Sequence, residues 1–135
     1  MRMPAADPAL LARRDTIAAD LRGLCAAPEA VITDTEEMRA YESDGLAAYR
    51  QLPLAVVLPS SSEEVAAVMR YCHAHGIPVL GRGAGTSLAG GAMPNADGVV
   101  VGLMKMREVL DLDFDNRTAT VQAGVTNIAV SQACE

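Results

Sequence analysis

Residues 54–91, LAVVLPSSSEEVAAVMRYCHAHGIPVLGRGAGTSLAGG, decide the fold. The stretch opens on an apolar run, 54 to 58, that suits a short buried strand and stops at Pro59, which cannot donate to a continuing ladder. Ser61 precedes Ser62, Glu63 and Glu64. A serine hydroxyl that accepts from a free backbone amide, with a glutamate three residues on reaching back, is a capping box. Val65, Val68, Met69 and Cys72 then recur on one helical face and predict its buried stripe, and Gly76 is placed to close the helix in the left-handed conformation. Ile77–Leu80 follows at once as a second strand. Strand, helix and strand with short joints form a βαβ unit, so the two strands should be parallel with a right-handed crossover.

Working outward, Asp7 and Pro8 make an N-cap and first-turn pair, and Leu10, Leu11, Ile17, Leu21 and Leu24 predict one amphipathic helix over residues 8–24. The segment from Val31 gives a short extended piece, a capped helical turn from Thr35 and a stop at Gly45. Beyond the glycines, residues 98–106 read as a third strand. Residues 107–125 alternate around Asp115 and Asn116, as an antiparallel hairpin does. Helices, then βαβ, then a hairpin is an α+β order, with a helical segment at 1–50 and the nucleotide-type unit at 51–135. The chain ends in TNIAVSQACE, within a predicted helix opened by Thr126 or Asn127, so a continuation into a longer protein is expected.

Composition narrows the partners. Half of the 135 residues are apolar, 21% are charged and the formal net charge is −6, a soluble globular balance without the basic face that nucleic acid requires. No window has the roughly 18–20 apolar residues of a membrane span, and Asp and Arg interrupt the N-terminus where a signal core would lie. A cytoplasmic protein is expected. Cys25, Cys72 and Cys134 are odd in number and widely spaced, which argues against a disulfide framework or zinc site and for small buried apolar side chains.

The segment after the second strand places Gly81, Gly83, Gly85, Gly90 and Gly91 around Arg82. In open α/β sheets ligands bind beyond the carboxyl ends of the parallel strands. Glycines there permit positive φ and close approach to the main chain, and successive amides can form a concave nest for a pyrophosphate, with Thr86 and Ser87 adding hydroxyls. A Rossmann fingerprint needs glycine where Thr86 stands, and a Walker loop needs a lysine that 81–91 lack. A ligand-free glycine connector remains the alternative. Arg82 could pair with a phosphate or support the loop through a salt bridge. Asp44 could reach the substrate side of a cleft or simply form a turn before Gly45. His73 and His75 point to different helix faces, and Asp111, Asp113 and Asp115 fit the solvated face of an edge strand better than a cation site.

Residues 33–135, through strand, Pro59, capped helix, IPV, RGAGTSLAGG and VQAGV, resemble FAD-binding domains of the vanillyl-alcohol oxidase and p-cresol methylhydroxylase type. Within that type they are similar to the branch of the glycolate oxidase FAD subunit and related D-lactate dehydrogenases. The resemblance implies a small parallel sheet packed with an antiparallel one and FAD between them. It carries pyrophosphate binding to Arg82, Gly83, Ala84, Gly85, Thr86 and Ser87, and close approach to Gly90 and Gly91. It places Pro59 near the adenine end and Gly124 beside the flavin region. Members that tether FAD covalently read R-[ST]-G-G-H, and Thr86 stands at the histidine's place, implying non-covalent FAD. The resemblance also implies oxidation of a small 2-hydroxy acid, with catalytic groups beyond this segment. It further implies iron–sulfur and second FAD-domain partner subunits that could bring the protein to the periphery of the inner membrane.

Overall fold

The two strands predicted on either side of the capped helix are parallel, and a third strand lies between them. In the computed structural model, which describes residues 5–135, the main sheet has the order β1–β2–β4–β3. Its strands are β1 (Val31–Ile32), β2 (Ala55–Val57), β3 (Val79–Arg82) and β4 (Val99–Gly102). β4 pairs in parallel with both β2 and β3, while β1 pairs antiparallel with β2. All four residues of β4 are buried, as a central strand covered on both faces requires.

The helices are α1 (Pro8–Ala12), α2 (Arg14–Arg22), α3 (Thr35–Met38), α4 (Ser62–Ala74) and α5 (Asn127–Ala133). Strands β5 (Val109–Asp113) and β6 (Thr118–Val121) form a separate antiparallel hairpin. Its turn falls at the expected Asp115 and Asn116, with Arg117 at φ 55° and the Asp113 carboxylate accepting from Asn116 N at 2.9 Å and Nδ2 at 2.6 Å.

Strand alternation divides the core. One face buries Ala55, Val57, Val99 and Val101 with Ile17 and Leu21 of α2 and Val68 and Cys72 of α4. The other buries Val56 and Val100 with Met38, and Leu80 and Tyr41 pack against them. Residues from both sides of position 50 therefore share one core. Arg14 ties them further, its Nε donating to Leu54 O at 3.1 Å and its Nη2 to Thr33 O at 2.7 Å.

Several local expectations shift. The single helix expected over 8–24 is two, divided at Arg13, whose N–H turns to Leu10 O and Leu11 O, although Leu10, Ile17 and Leu21 are all buried as the periodicity requires. The strand expected over 77–80 runs from 79 to 82. Ile77 N is taken by Cys72 O in the helix cap, Pro78 has no N–H, and pairing continues through Gly81 and Arg82. The third strand is shorter than 98–106, because Met106 N folds back to Leu103 O in a turn. Met69, assigned to the buried stripe of α4, is 45% exposed, and Cys134 is exposed rather than buried. Burial pushes the Cys72 thiol up to about 11 and raises that of Cys25, as suits unreactive core side chains.

The caps of α4 follow the sequence, with one change. Ser61 Oγ accepts from Glu64 N at 3.2 Å, and Gly76 adopts φ 65°. Glu64 reaches past Ser61 to accept from Ser60 N at 2.7 Å, and its other oxygen accepts from Ala26 N at 2.8 Å. Those two amides hold its carboxyl below the usual glutamate range, the Ala26 bond being the larger cause.

Candidate functional site: a glycine loop pinned from behind

The three parallel strands end on one edge, at Leu58 after β2, Leu103 after β4 and Gly83 after β3. The glycine loop leaves the sheet there. Arg82 is the last residue of β3, not part of the loop, and alternation sets its side chain on the same face as Leu80. On that face it meets the chain that follows α3. It is only 6% exposed, and its Nη1 donates to Ser43 O at 2.8 Å and Ala92 O at 3.0 Å, while Nη2 donates to Ala40 O at 3.4 Å. Its guanidinium carbon lies 5.7 Å from the Tyr41 ring centroid. Carbonyl oxygens, not a carboxylate, therefore receive this cation, and the guanidinium is committed to the loop's interior rather than to the edge where a phosphate would lie.

Ser43–Gly45 meets the loop at several points. Asp44, 6% exposed, accepts from Gly90 N at 2.8 Å through Oδ2 and from Leu46 N at 2.9 Å through Oδ1. Gly45 N donates to Ser87 O at 2.8 Å. A Cβ on Gly45 would stand 2.9 Å from Thr86 O, so glycine is needed for the two backbones to approach this closely. Asp44 does form the local turn, and it also holds the loop across 46 positions of sequence.

The glycines divide by role. Gly85 and Gly90 have φ 72° and 76°. A Cβ on Gly85 would overlap the Arg82 guanidinium, at 2.1 Å from Nη2, so this glycine serves the buried arginine. A Cβ on Gly83 would meet nothing within 4 Å. On Gly91 it would make ordinary contact with Ser87 Oγ at 3.7 Å. Among the described residues, the backbone amides of 84–88 find no acceptor. Ser87 Oγ accepts from Ala89 N at 3.3 Å, and Thr86 is exposed. These unpaired donors on a fixed loop are what an anionic group needs in order to be held by main chain.

In front of the loop is an open cleft of about 690 Å³ whose lining includes Gly83, Ala84, Arg107, Gly124 and Asn127. The cleft brings the start of the loop together with the turn before α5. Gly124 lines it but is glycine for an internal reason. A Cβ there would stand 2.3 Å from Leu103 O and 2.7 Å from Met106 O, and its N–H donates to Met106 O at 2.8 Å. Pro59 ends β2 and is fully buried, so its visible role is packing at the strand end rather than a surface offered to a ligand. Asp44 and Gly45 had no signal in spacing beyond a turn, since their partners are remote in sequence.

A pinned glycine loop at the carboxyl edge of a small parallel sheet, with a hairpin sheet beside it, is the fold of flavoproteins of the p-cresol methylhydroxylase type. The chain superposes on 4-ethylphenol oxidase from Gulosibacter chungangensis with a TM-score of 0.77 at 21% identity, covering 98% of this chain and 26% of that one. It superposes on p-cresol methylhydroxylase with a TM-score of 0.71 at 19% identity, covering 97% and 26%.

The chain belongs to the FAD binding domain family, whose model matches residues 53–135, and FAD is the cofactor that goes with it. Among curated proteins it is 48% identical over 103 residues to glycolate oxidase subunit GlcD of Escherichia coli K12, covering 76% of this chain and 21% of that one. It is 51% identical over 71 residues to D-lactate dehydrogenase of Archaeoglobus fulgidus, covering 53% and 16%. It is 32% identical over 108 residues to D-2-hydroxyglutarate dehydrogenase of Stutzerimonas stutzeri, covering 80% and 23%. The chain thus spans about a fifth of the length of the curated relatives it matches. Among the described residues no helix is long and apolar enough to cross a membrane.

Proposed function

We propose that this chain forms the first part of the FAD site of a 2-hydroxy-acid dehydrogenase, with glycolate as the substrate and glyoxylate as the product. The observation that carries the cofactor role is the set of amides from Ala84 to Leu88 without acceptors among the described residues, on a loop whose rear is fixed by Arg82 and Asp44. The site fits the diphosphate of FAD because it offers neutral main-chain donors and the room that Gly83 leaves, which a negatively charged protein can present without a basic patch. Ala84, Gly85, Thr86 and Ser87 would hold the diphosphate, Gly83, Gly90 and Gly91 would allow its approach, and Arg82 would act from beneath. Gly124 would border the flavin end of the cleft, and Pro59 would shape the sheet edge toward the adenine end. Thr86 offers no nucleophile comparable to a histidine ring, so FAD is held without a covalent bond at this position.

When bound, FAD supplies the acceptor for the electron pair of the hydroxy acid's α-carbon bond to hydrogen. The residues of this chain bind and orient. The groups that position the hydroxy acid and take its hydroxyl proton lie outside these residues, as do contacts to iron–sulfur and second FAD-domain partner subunits. A cytoplasmic protein held at the inner membrane through such partners fits this reading. The identity to a D-lactate dehydrogenase favours D-lactate as the second substrate to try.

The test uses the full-length protein. It should purify with flavin that acid precipitation releases into the supernatant, and anaerobic glycolate should bleach the flavin absorption. Flavin that stays with the acid pellet would contradict the non-covalent assignment. A colourless protein that takes up no FAD would contradict the cofactor site, and bleaching by D-lactate alone would move the substrate assignment to D-lactate.

A further inference from the structure

Asp44 lies outside the residues matched by the FAD binding domain family, 53–135, yet its carboxylate is part of the loop. A turn former needs only the local bond, from Leu46 N to Oδ1 at 2.9 Å. The second bond, from Gly90 N to Oδ2 at 2.8 Å, adds nothing to that turn, and it occurs where the loop reverses at Gly90, φ 76°. Placing a buried negative charge behind a loop that receives an anion opposes binding by simple electrostatics, so the carboxylate must act through geometry. Arg82 meets Ser43 O on the same three-residue segment, so a second bond ties that segment to the base of the loop.

We propose that Asp44 is a positioning residue for the cofactor. Its carboxylate draws the Gly90 amide to the rear of the loop, so that the amides of residues 84–88 remain facing the ligand as one set, and the segment before the matched domain thereby tunes FAD affinity. This rests on the reading of the loop as the FAD diphosphate cradle.

The experiment uses the full-length protein, stripped of flavin and titrated with FAD by fluorescence quenching. Asp44→Asn leaves one neutral acceptor oxygen for the two amides of Leu46 and Gly90, so whichever way the side-chain amide turns, the charged acceptor that holds Gly90 is lost. It should raise the FAD Kd by about ten- to hundredfold, the factor by which the binding-competent loop conformer becomes rarer in the free protein once the clamp is weakened. The KM for the hydroxy acid at saturating FAD should not change. Arg50→Ala, which removes an exposed ion pair with Glu42 in the same region, should leave the FAD Kd within twofold. An unchanged Kd in Asp44→Asn overturns the proposal, and so does a tighter one, which is what a merely repulsive nearby charge predicts. If the variant fails to fold, hydrogen exchange of the wild-type apoprotein decides. The Gly90 amide should exchange at least tenfold more slowly than those of 84–88, and equal rates overturn the clamp. Wild-type protein that takes up no FAD would instead defeat the cofactor reading, while Gly90 protection would still report on the clamp.

Discussion

Gly83 and Gly85 are two positions apart and answer to different demands. At Gly85 both φ 72° and the Arg82 guanidinium forbid a side chain, so Gly85→Ala should destabilise the protein by on the order of 1–3 kcal/mol in a urea unfolding series. At Gly83 there is open space, so Gly83→Val should stay within about 0.5 kcal/mol of wild type yet weaken FAD binding. A destabilised Gly83→Val with normal FAD affinity would reverse these roles. The sequence shows that glycines cluster after a parallel strand. It does not show which glycine borders open space and which borders an arginine, because that depends on Arg82 being in β3 and turning inward. Gly124 illustrates the same limit, being held by the carbonyls of Leu103 and Met106 across a turn.

Helix α4 shows how local signals and remote ones combine. Its cap at Ser61 and its stop at Gly76 are readable because both act within a few residues. The bond from Ala26 N to Glu64 is not, as it joins the end of the α2 region to α4 across 38 positions. It has a pH consequence. The folded-state pKa of Glu64 lies below its unfolded value, so its contribution is present above the unfolded pKa and is lost as pH falls through the folded one. Glu64→Gln should therefore lower stability at pH 7 and narrow the gap to wild type on acidification below about pH 4, followed by thermal unfolding. A gap that stays constant with pH would show that the carboxylate's charge is not what matters. The order of the main sheet was likewise illegible. Alternating and apolar runs identify strands, but a crossover can skip a place, and the complete burial of β4, which fills that place, is shared by β2.

At the scale of the molecule, the glycine loop and its support come from two internal segments about forty residues apart. Residues 81–91 supply its amides, and residues 40–45 supply its support through Ala40 O, Ser43 O, Asp44 and Gly45. The α+β class and the place of the loop were legible from strand, capped helix, strand and glycines in that order. The support was not, since YESDG carries no pattern beyond a turn. On the function proposed above, FAD is held by main-chain donors of this loop. Hydrogen exchange followed by mass spectrometry on the full-length apoprotein, with and without FAD, tests it most directly. The amides of 84–88 have no acceptor among the described residues and should exchange rapidly in the apoprotein, then become at least tenfold slower with saturating FAD, while those of α4 stay as they were. Bound FAD with no slowing of exchange at residues 84–88 would contradict the account.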